Sequence, residues 1–220
     1  MNRRRLLEIL VAAGVLVLLL AVLFVRPTSR RTSAPPLALF KSVAGAPPDF
    51  SSEGFDALRV RSPDDTRTAV LYPLDFEGDT DLYVIESPGQ GTHWVLADSI
   101  RATNAPKSAG WVDERALWVT VGYKWGTVSP GGDAYLVNPE TGFGAPVWTS
   151  EPDTTGRVQA VGLTPAPASL AGGVGGWVVA LKVFDENMEN PRDSTAVIPP
   201  GAIPWERIGL KPPRAPAPSL

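Results

Sequence analysis

The sequence predicts an all-β fold, antiparallel strand repeats preceded by one transmembrane helix. Three observations lead there. An apolar run of 20 residues, LLEILVAAGVLVLLLAVLFV, stands near the start of the chain from Leu6 to Val25. Short β-type runs follow, separated by glycine and proline, which number 21 and 23 and suit strands joined by turns. A pattern of aspartate, strand, turn and tryptophan then recurs three times.

The apolar run decides the N-terminal organisation. About 20 such residues span the hydrocarbon core of a bilayer, and a helix apolar on every face has no place at the surface of a small domain. Its one charge, Glu8, sits near the edge. A cleaved signal peptide needs small residues at its exit, but Leu23, Phe24, Val25 and Arg26 stand there. The first small triplet, Thr32-Ser33-Ala34, is followed by Pro35, and the chain has no cysteine to carry a lipid. Residues 1–5 are therefore read as a short cytoplasmic tail and 6–25 as a signal anchor whose partner is the lipid bilayer. Arg3, Arg4 and Arg5 before the run nearly balance Arg26, Arg30 and Arg31 after it. The shortness of the leading tail favours a cytoplasmic N-terminus and a domain outside the cytoplasm.

Charge excludes one class of partner. Setting aside the six arginines up to Arg31, and Glu8, from totals of 20 basic and 23 acidic residues leaves 14 against 22, a net charge of −8. Such a domain is repelled by phosphates, so nucleic acid is not a predicted partner.

Residues 26–55 read as a proline-rich linker, spaced by Pro27, Pro35, Pro36, Pro47 and Pro48. Within it LALF, residues 37–40, either docks on the domain or lies at the membrane surface. Residues 211–220, KPPRAPAPSL, read as a disordered tail. The β-repeat domain occupies 56–210. Its predicted strands are TAVLY from Thr68, DLYVI from Asp81, HWVLA from His93, ALWVTV from Ala116, DAYLV from Asp133, PVWT from Pro146, RVQAVGL from Arg157 and WVVALKVF from Trp177.

The repeat appears when the hairpins are aligned. DLYVIESPGQGTHW runs from Asp81 to Trp94, DAYLVNPETGFGAPVW from Asp133 to Trp148, and DSTAVIPPGAIPW from Asp193 to Trp205. The starting aspartates are 52 and 60 residues apart, and a more apolar strand precedes each. Units of this length with about four strands mark stacked sheets, because one sheet cannot bury both faces alone. The tryptophans are expected to fill the space between sheets, on corresponding return strands. On these residues the chain resembles WD-repeat and TolB-like β-propellers, whose blades carry DLYVID-like strands and SPGG turns, as in SPGGDAYLV from Ser129. NPETG, Asn138 to Gly142, is similar to the turn of quinoprotein-type blades. SPGQGTHW resembles the Asp-box hairpin of sialidase-type blades, with Gly89 where the aspartate belongs. The resemblance implies an incomplete β-propeller-like fold, since three repeats are fewer than closed propellers use. It also implies an open sheet face available to a protein partner or to self-association.

Chemistry is sparse. Serine-hydrolase chemistry needs a base beside its nucleophile, and the chain has one histidine, His93, in a strand beside Trp94. No catalytic residue and no cofactor is predicted. The acidic run DFEGDTD places Asp75, Glu77, Asp79 and Asp81 within seven residues, a set of oxygen ligands that could hold calcium. The sixth position of that loop is Thr80, where the tight EF-hand turn requires glycine, so a solvated turn is the expectation and no metal is predicted. The glycine-rich AGGVGGW, from Ala171, leads into a strand, whereas phosphate loops lead into a helix. The expected function is a non-enzymatic binding or assembly role at the outer face of a membrane. The alternative is a glycan- or peptidoglycan-acting enzyme using a carboxylate pair.

Overall fold

Three antiparallel meanders follow one another along the chain. In this computed structural model the described residues are 36–50, 56–74, 79–87, 89–125, 129–154, 156–171 and 175–213, and Pro35–Leu220 forms one unit. The first sheet is built from β3 (Leu58–Arg61), β4 (Thr68–Tyr72), β5 (Asp81–Ser87) and β6 (Gln90–Leu96), with β2 (Phe40–Val43) added outside β6. The second contains β7 (Asn104–Asp113), β8 (Ala116–Tyr123), β9 (Asp133–Val137) and β10 (Phe143–Trp148), with β1 (Leu37–Ala38) added outside β10. The third has three strands, β11 (Val158–Pro165), β12 (Trp177–Val183) and β13 (Arg192–Ile198).

Strand periodicity explains the stacking. In β8, Leu117, Val119 and Val121 enter one core, while Ala116 and Trp118 on the opposite face join another. In β9, Tyr135 and Val137 likewise oppose Ala134 and Leu136. A strand apolar on both faces belongs in a middle layer, and the second sheet is that layer. Its first face packs on Ala69, Leu71, Leu82, Val84 and Trp94 of the first sheet. Its second face packs on Leu163, Trp177, Val179 and Leu181 of the third.

Two glycines of SPGGD explain that motif physically. A Cβ on Gly132 would strike the carbonyl of Val121, and one on Gly131 the carbonyl of Ala160. The bare backbone lets the lead into β9 pass between β8 and β11, where Gly132 bridges Ala160. Along the other side of the stack, the Trp111 indole N–H of β7 donates to the Val60 carbonyl of β3 at 2.9 Å. The Arg67 guanidinium lies 5.0 Å from the Trp111 ring centroid and pairs with Glu140 at 2.6 Å.

The segment expected to be linker contributes structure from Leu37 onward. Leu37 and Ala38 pair with Gly144 and Phe143 of β10; two residues later, Phe40 to Val43 pair with Leu96 to His93 of β6. Leu39, between the two strands, is fully buried in the core of the first and second sheets. The prolines that suggest a spacer flank this strap, and the apolar LALF core outweighs them. Residues 26–35 and 51–55 of the expected linker lie outside the described residues, as do Leu6–Val25 and residues 214–220. Among the described residues no helix is long and apolar enough to cross a membrane.

The architecture is all-β, with antiparallel sheets and no closed ring. The third meander stops at three strands, and a 3-10 helix, Trp205–Ile208, follows where a fourth strand would lie. Proline and glycine at 199–201 and 204 end the extended run before it can pair.

Candidate functional site

Three features of the unit bear on function: a charge network, a pocket beside it and an uncovered sheet face. The network gathers residues that the sequence singled out. Asp81 opens β5, and its Oδ2 lies 2.9 Å from His93 Nε2 on β6. His93 stacks on Tyr83, its cross-strand neighbour, with ring centroids 4.4 Å apart. Arg101, at the end of the helical turn Asp98–Arg101, reaches Asp81 at 3.4 Å and Asp79 at 3.2 Å. Asp79 also accepts a hydrogen bond from the Lys124 ammonium at 3.0 Å, and Lys124 lies 4.8 Å from the centroid of the exposed Trp125 ring. These contacts join the first sheet to the end of β8.

The electrostatics follow from that pairing. The Lys124 hydrogen bond holds the Asp79 carboxyl below the usual carboxylate range; partial desolvation opposes it and the Arg101 charge reinforces it. Burial, with the Asp81 charge added, pushes the Tyr83 hydroxyl up. In hydrolase triads the imidazole carries a carboxylate on one nitrogen and a nucleophile on the other. Here Nε2 faces Asp81 and the ring lies flat on Tyr83. Among the described residues no serine or threonine hydroxyl bonds to it.

Of the four acidic residues in the possible calcium loop, Asp75 and Glu77 lie outside the described residues. Asp79 and Asp81 are engaged by Lys124, Arg101 and His93. Among the described residues no three His, Asp or Glu side chains converge to hold a metal ion.

The repeat positions fall as follows. Asp81 and Asp133 open β5 and β9, the third strands of their meanders, and Asp193 is the second residue of β13, again a third strand. Trp94 lies in β6 and Trp148 ends β10, both fourth strands. Trp205 is in the 3-10 helix, not on a return strand, yet its ring is buried in the second core. Trp94 fills the gap between first and second sheets: Gly142, at φ +70°, lies so close that a Cβ would come 2.7 Å from its ring. Asn138 of the NPETG turn is buried and donates to the Ile208 carbonyl at 3.0 Å, tying the 3-10 helix to the second sheet.

The pocket was not legible in the sequence. It has a volume of about 280 Å³ and is walled by Leu74, Pro106 and Pro130, with Thr80 and Ser129 among its polar groups and Asp56 also on its lining. Lys107 of β7 reaches into it. Burial without a compensating charge pushes the Lys107 ammonium's pKa down. The uncovered face belongs to the third sheet. Residues Val178 and Ala180 of β12, with Thr195 and Val197 of β13, alternate with the buried Val179 and Ile198, and Ala180, Thr195 and Val197 are exposed.

A family model described as a domain of unknown function (DUF4652) matches residues 75–161, from the approach to β5 into β11. A solved structure described as a "putative conserved lipoprotein" from Clostridium novyi NT has the same fold, with a TM-score of 0.59 at 21% identity. The match covers 76% of this chain and 99% of that one. No curated protein matches. These findings correct the WD-repeat and TolB-like resemblance. The short motifs behind it, a strand after aspartate and a glycine turn, belong to three sheets that do not close, and neither the matched family nor the matched structure indicates a WD-repeat or TolB-like propeller.

Proposed function

We propose that this chain displays its β-sheet unit outside the cytoplasm at a membrane surface, where it binds or assembles with other molecules without catalysing a reaction. The observation that carries the assembly role is the third sheet. It buries Trp177, Val179 and Leu181 on one side and leaves Ala180, Thr195 and Val197 exposed on the other. Exposed apolar sheet surface at the end of a stack favours association with another protein or with a second copy.

Two further points support the reading. The C. novyi relative in fold is described as a "putative conserved lipoprotein", and a covalent lipid anchors a protein to a membrane. This chain has no cysteine, and the Leu6–Val25 run supplies an apolar segment of spanning length. The charge network also suits a structural role better than glycoside hydrolysis. That chemistry needs a carboxyl held protonated, whereas the pKa shifts resolved for Asp79 and Asp98 are downward, each led by a lysine hydrogen bond.

The test is a photo-crosslinking residue placed at Val197 in the full chain on intact membranes, with Arg59 on the first sheet as control. Adducts of defined mass from Val197, absent from Arg59 and lost with Val178→Glu, are expected. Equal labelling at the two positions would refute the assembly surface. Reporter fusions after residue 60 test the topology: activity from a cytoplasmic reporter alone would overturn it.

A further inference from the structure

The pocket beside the charge network has a built polar centre that the assembly reading does not use. Its origin lies in the strand. The pairing of β7 with β8 shifts register between Pro106 and Ser108, so Lys107 is the extra residue of a β-bulge. A bulge costs a ladder hydrogen bond and re-aims one side chain, and bulges gather next to functional sites for that reason. Here the re-aimed side chain is a lysine, and it reaches into a cavity walled by Leu74, Pro106 and Pro130.

The other cations near it are occupied: Lys124 by Asp79 and Arg101 by Asp79 and Asp81. Lys107 has no carboxylate within ion-pair distance among the described residues, although Asp56 lines the same pocket. The polar groups of the wall divide similarly. The Thr80 hydroxyl donates to the Pro73 carbonyl at 2.8 Å, whereas the Ser129 hydroxyl, on a residue that is buried as a whole, has no protein hydrogen bond among the described residues. Among the described residues the cavity thus presents a lysine without an ion pair, a hydroxyl without a hydrogen bond and apolar walls, with the Asp56 carboxylate on the same lining.

We propose that this pocket binds a small organic monocarboxylate, its carboxylate on the Lys107 ammonium and the Ser129 hydroxyl and its apolar body against Leu74, Pro106 and Pro130. The volume, about 280 Å³, sits at the small end of ligand cavities and fits a short-chain acid. One cation matches one negative charge. Repulsion from the Asp56 carboxylate grows with the ligand's charge, so it weighs less on a monoanion than on a phosphate dianion, and Lys107 itself repels amines. Burial already lowers the lysine's proton affinity, and a bound carboxylate restores it. By linkage the ligand and the proton bind cooperatively, so affinity falls as pH rises through the titration of Lys107. The site is independent of association through the third sheet, and either can fail alone.

The test uses the full chain in lipid nanodiscs with its five lysines carrying carbon-13 dimethyl labels, the Lys107 signal being assigned with Lys107→Arg. Hexanoate, its neutral amide hexanamide and inorganic phosphate are titrated in turn. Hexanoate is expected to shift the Lys107 signal saturably and raise its titration midpoint. Hexanamide should bind at least tenfold more weakly, and phosphate should not saturate over the same range. In Lys107→Met, the preference for hexanoate over hexanamide should disappear. Hexanamide matching hexanoate within twofold in the unmutated chain would overturn the proposal, as would a Lys107 signal that no probe moves or phosphate saturating as tightly. The measurements on the unmutated chain decide the matter even if Lys107→Met does not fold.

Discussion

Replacing Leu39 with alanine tests whether the strap holds the stack together. Leu39 is fully buried between a strand paired to the second sheet and one paired to the first. Truncation removes three carbons, which at about 0.8 kcal/mol each is roughly 2.4 kcal/mol of lost transfer free energy. A cavity term adds to this to the extent that the site cannot collapse. Collapse is hindered here, because the wall against Leu39 is backbone: a Cβ on Gly144 would come 2.6 Å from Leu39 Cδ2. The total expected is about 3–4 kcal/mol, inside the usual range for buried Leu→Ala. For a unit of this size each kcal/mol shifts the melting temperature by about 2–4 °C, so the loss should be roughly 10 °C. Urea unfolding of the full chain, followed by tryptophan fluorescence, should show a lower midpoint at an unchanged m-value. Ser42→Ala, exposed on the same strap, should stay within about 0.5 kcal/mol. Hydrogen exchange adds a spatial check, since amides on the outer edges of β6 and β10 should lose protection together. A loss below about 1 kcal/mol for Leu39→Ala would show that the strap merely rests on the sheets.

Trp205→Ala should cost about 3–5 kcal/mol, because its ring is buried in the second core, whereas Trp148, only half-buried, should cost less in the same unfolding assay. The Asp79 pair gives an acid-limb effect. Its folded pKa lies below the ordinary 3.8, so its contribution is present above that value and lost as pH falls through the lower folded one. Because the side chain is nearly half exposed, Asp79→Asn should remove only a fraction of a kcal/mol at pH 7 and flatten the acid limb of a stability–pH curve. Calcium should leave the melting temperature unchanged, since Asp79 and Asp81 already face cations. Specific binding at about 100 times the dissociation constant would instead add about 2.7 kcal/mol.

How much was legible depended on where the side-chain period ran uninterrupted. TAVLY from Thr68 and DAYLV from Asp133 became β4 and β9 within the same bounds, because their residues alternate between filled faces. The run ALWVTV likewise became the core of β8. Strand β7, NAPKSAGWVD, was missed although it runs for 10 residues. Pro106, Lys107 and Gly110 break its apolar period, and two register shifts against β8 displace the rest. The first of those shifts, at Lys107, lies on the pocket, so the site escaped notice for the reason that it exists. The strap was legible only as one of two readings of LALF, docking on the domain or lying at the membrane surface, because only Leu39 and Phe40 are buried in it, too few to register as a period. The third tryptophan was legible as a core residue but not as a strand residue. Burial rewards the ring wherever the backbone brings it, and the prolines around Trp205 bring it on a helical turn.

The two ends of the stack differ, and the difference says how a partner should dock. On the first sheet's outer face Phe50 packs edge-on against Tyr72 and Tyr83, at centroid distances of 5.4 and 5.1 Å, and covers part of that side. At the third sheet the outer face lies open, but its edge is guarded. The edge strand β13 begins with Arg192 and Asp193, and Asp193 pairs across to Lys182 at 2.7 Å. Charges on an edge strand oppose the addition of another strand, while the open face, bordered at one end by that Lys182–Asp193 pair, carries the apolar and small residues Val178, Ala180 and Val197. Association should therefore proceed face to face, by side-chain packing, and not by extension of the sheet. Val197→Glu should abolish it, because a carboxylate desolvated in the contact has no partner there. Asp193→Ala should leave it unchanged within about twofold. Sedimentation velocity on the full chain, with the crosslinking yield at Ala180 as a second readout, separates the modes. A stronger association in Asp193→Ala, with Val197→Glu unaffected, would mean that the edge and not the face is the docking surface.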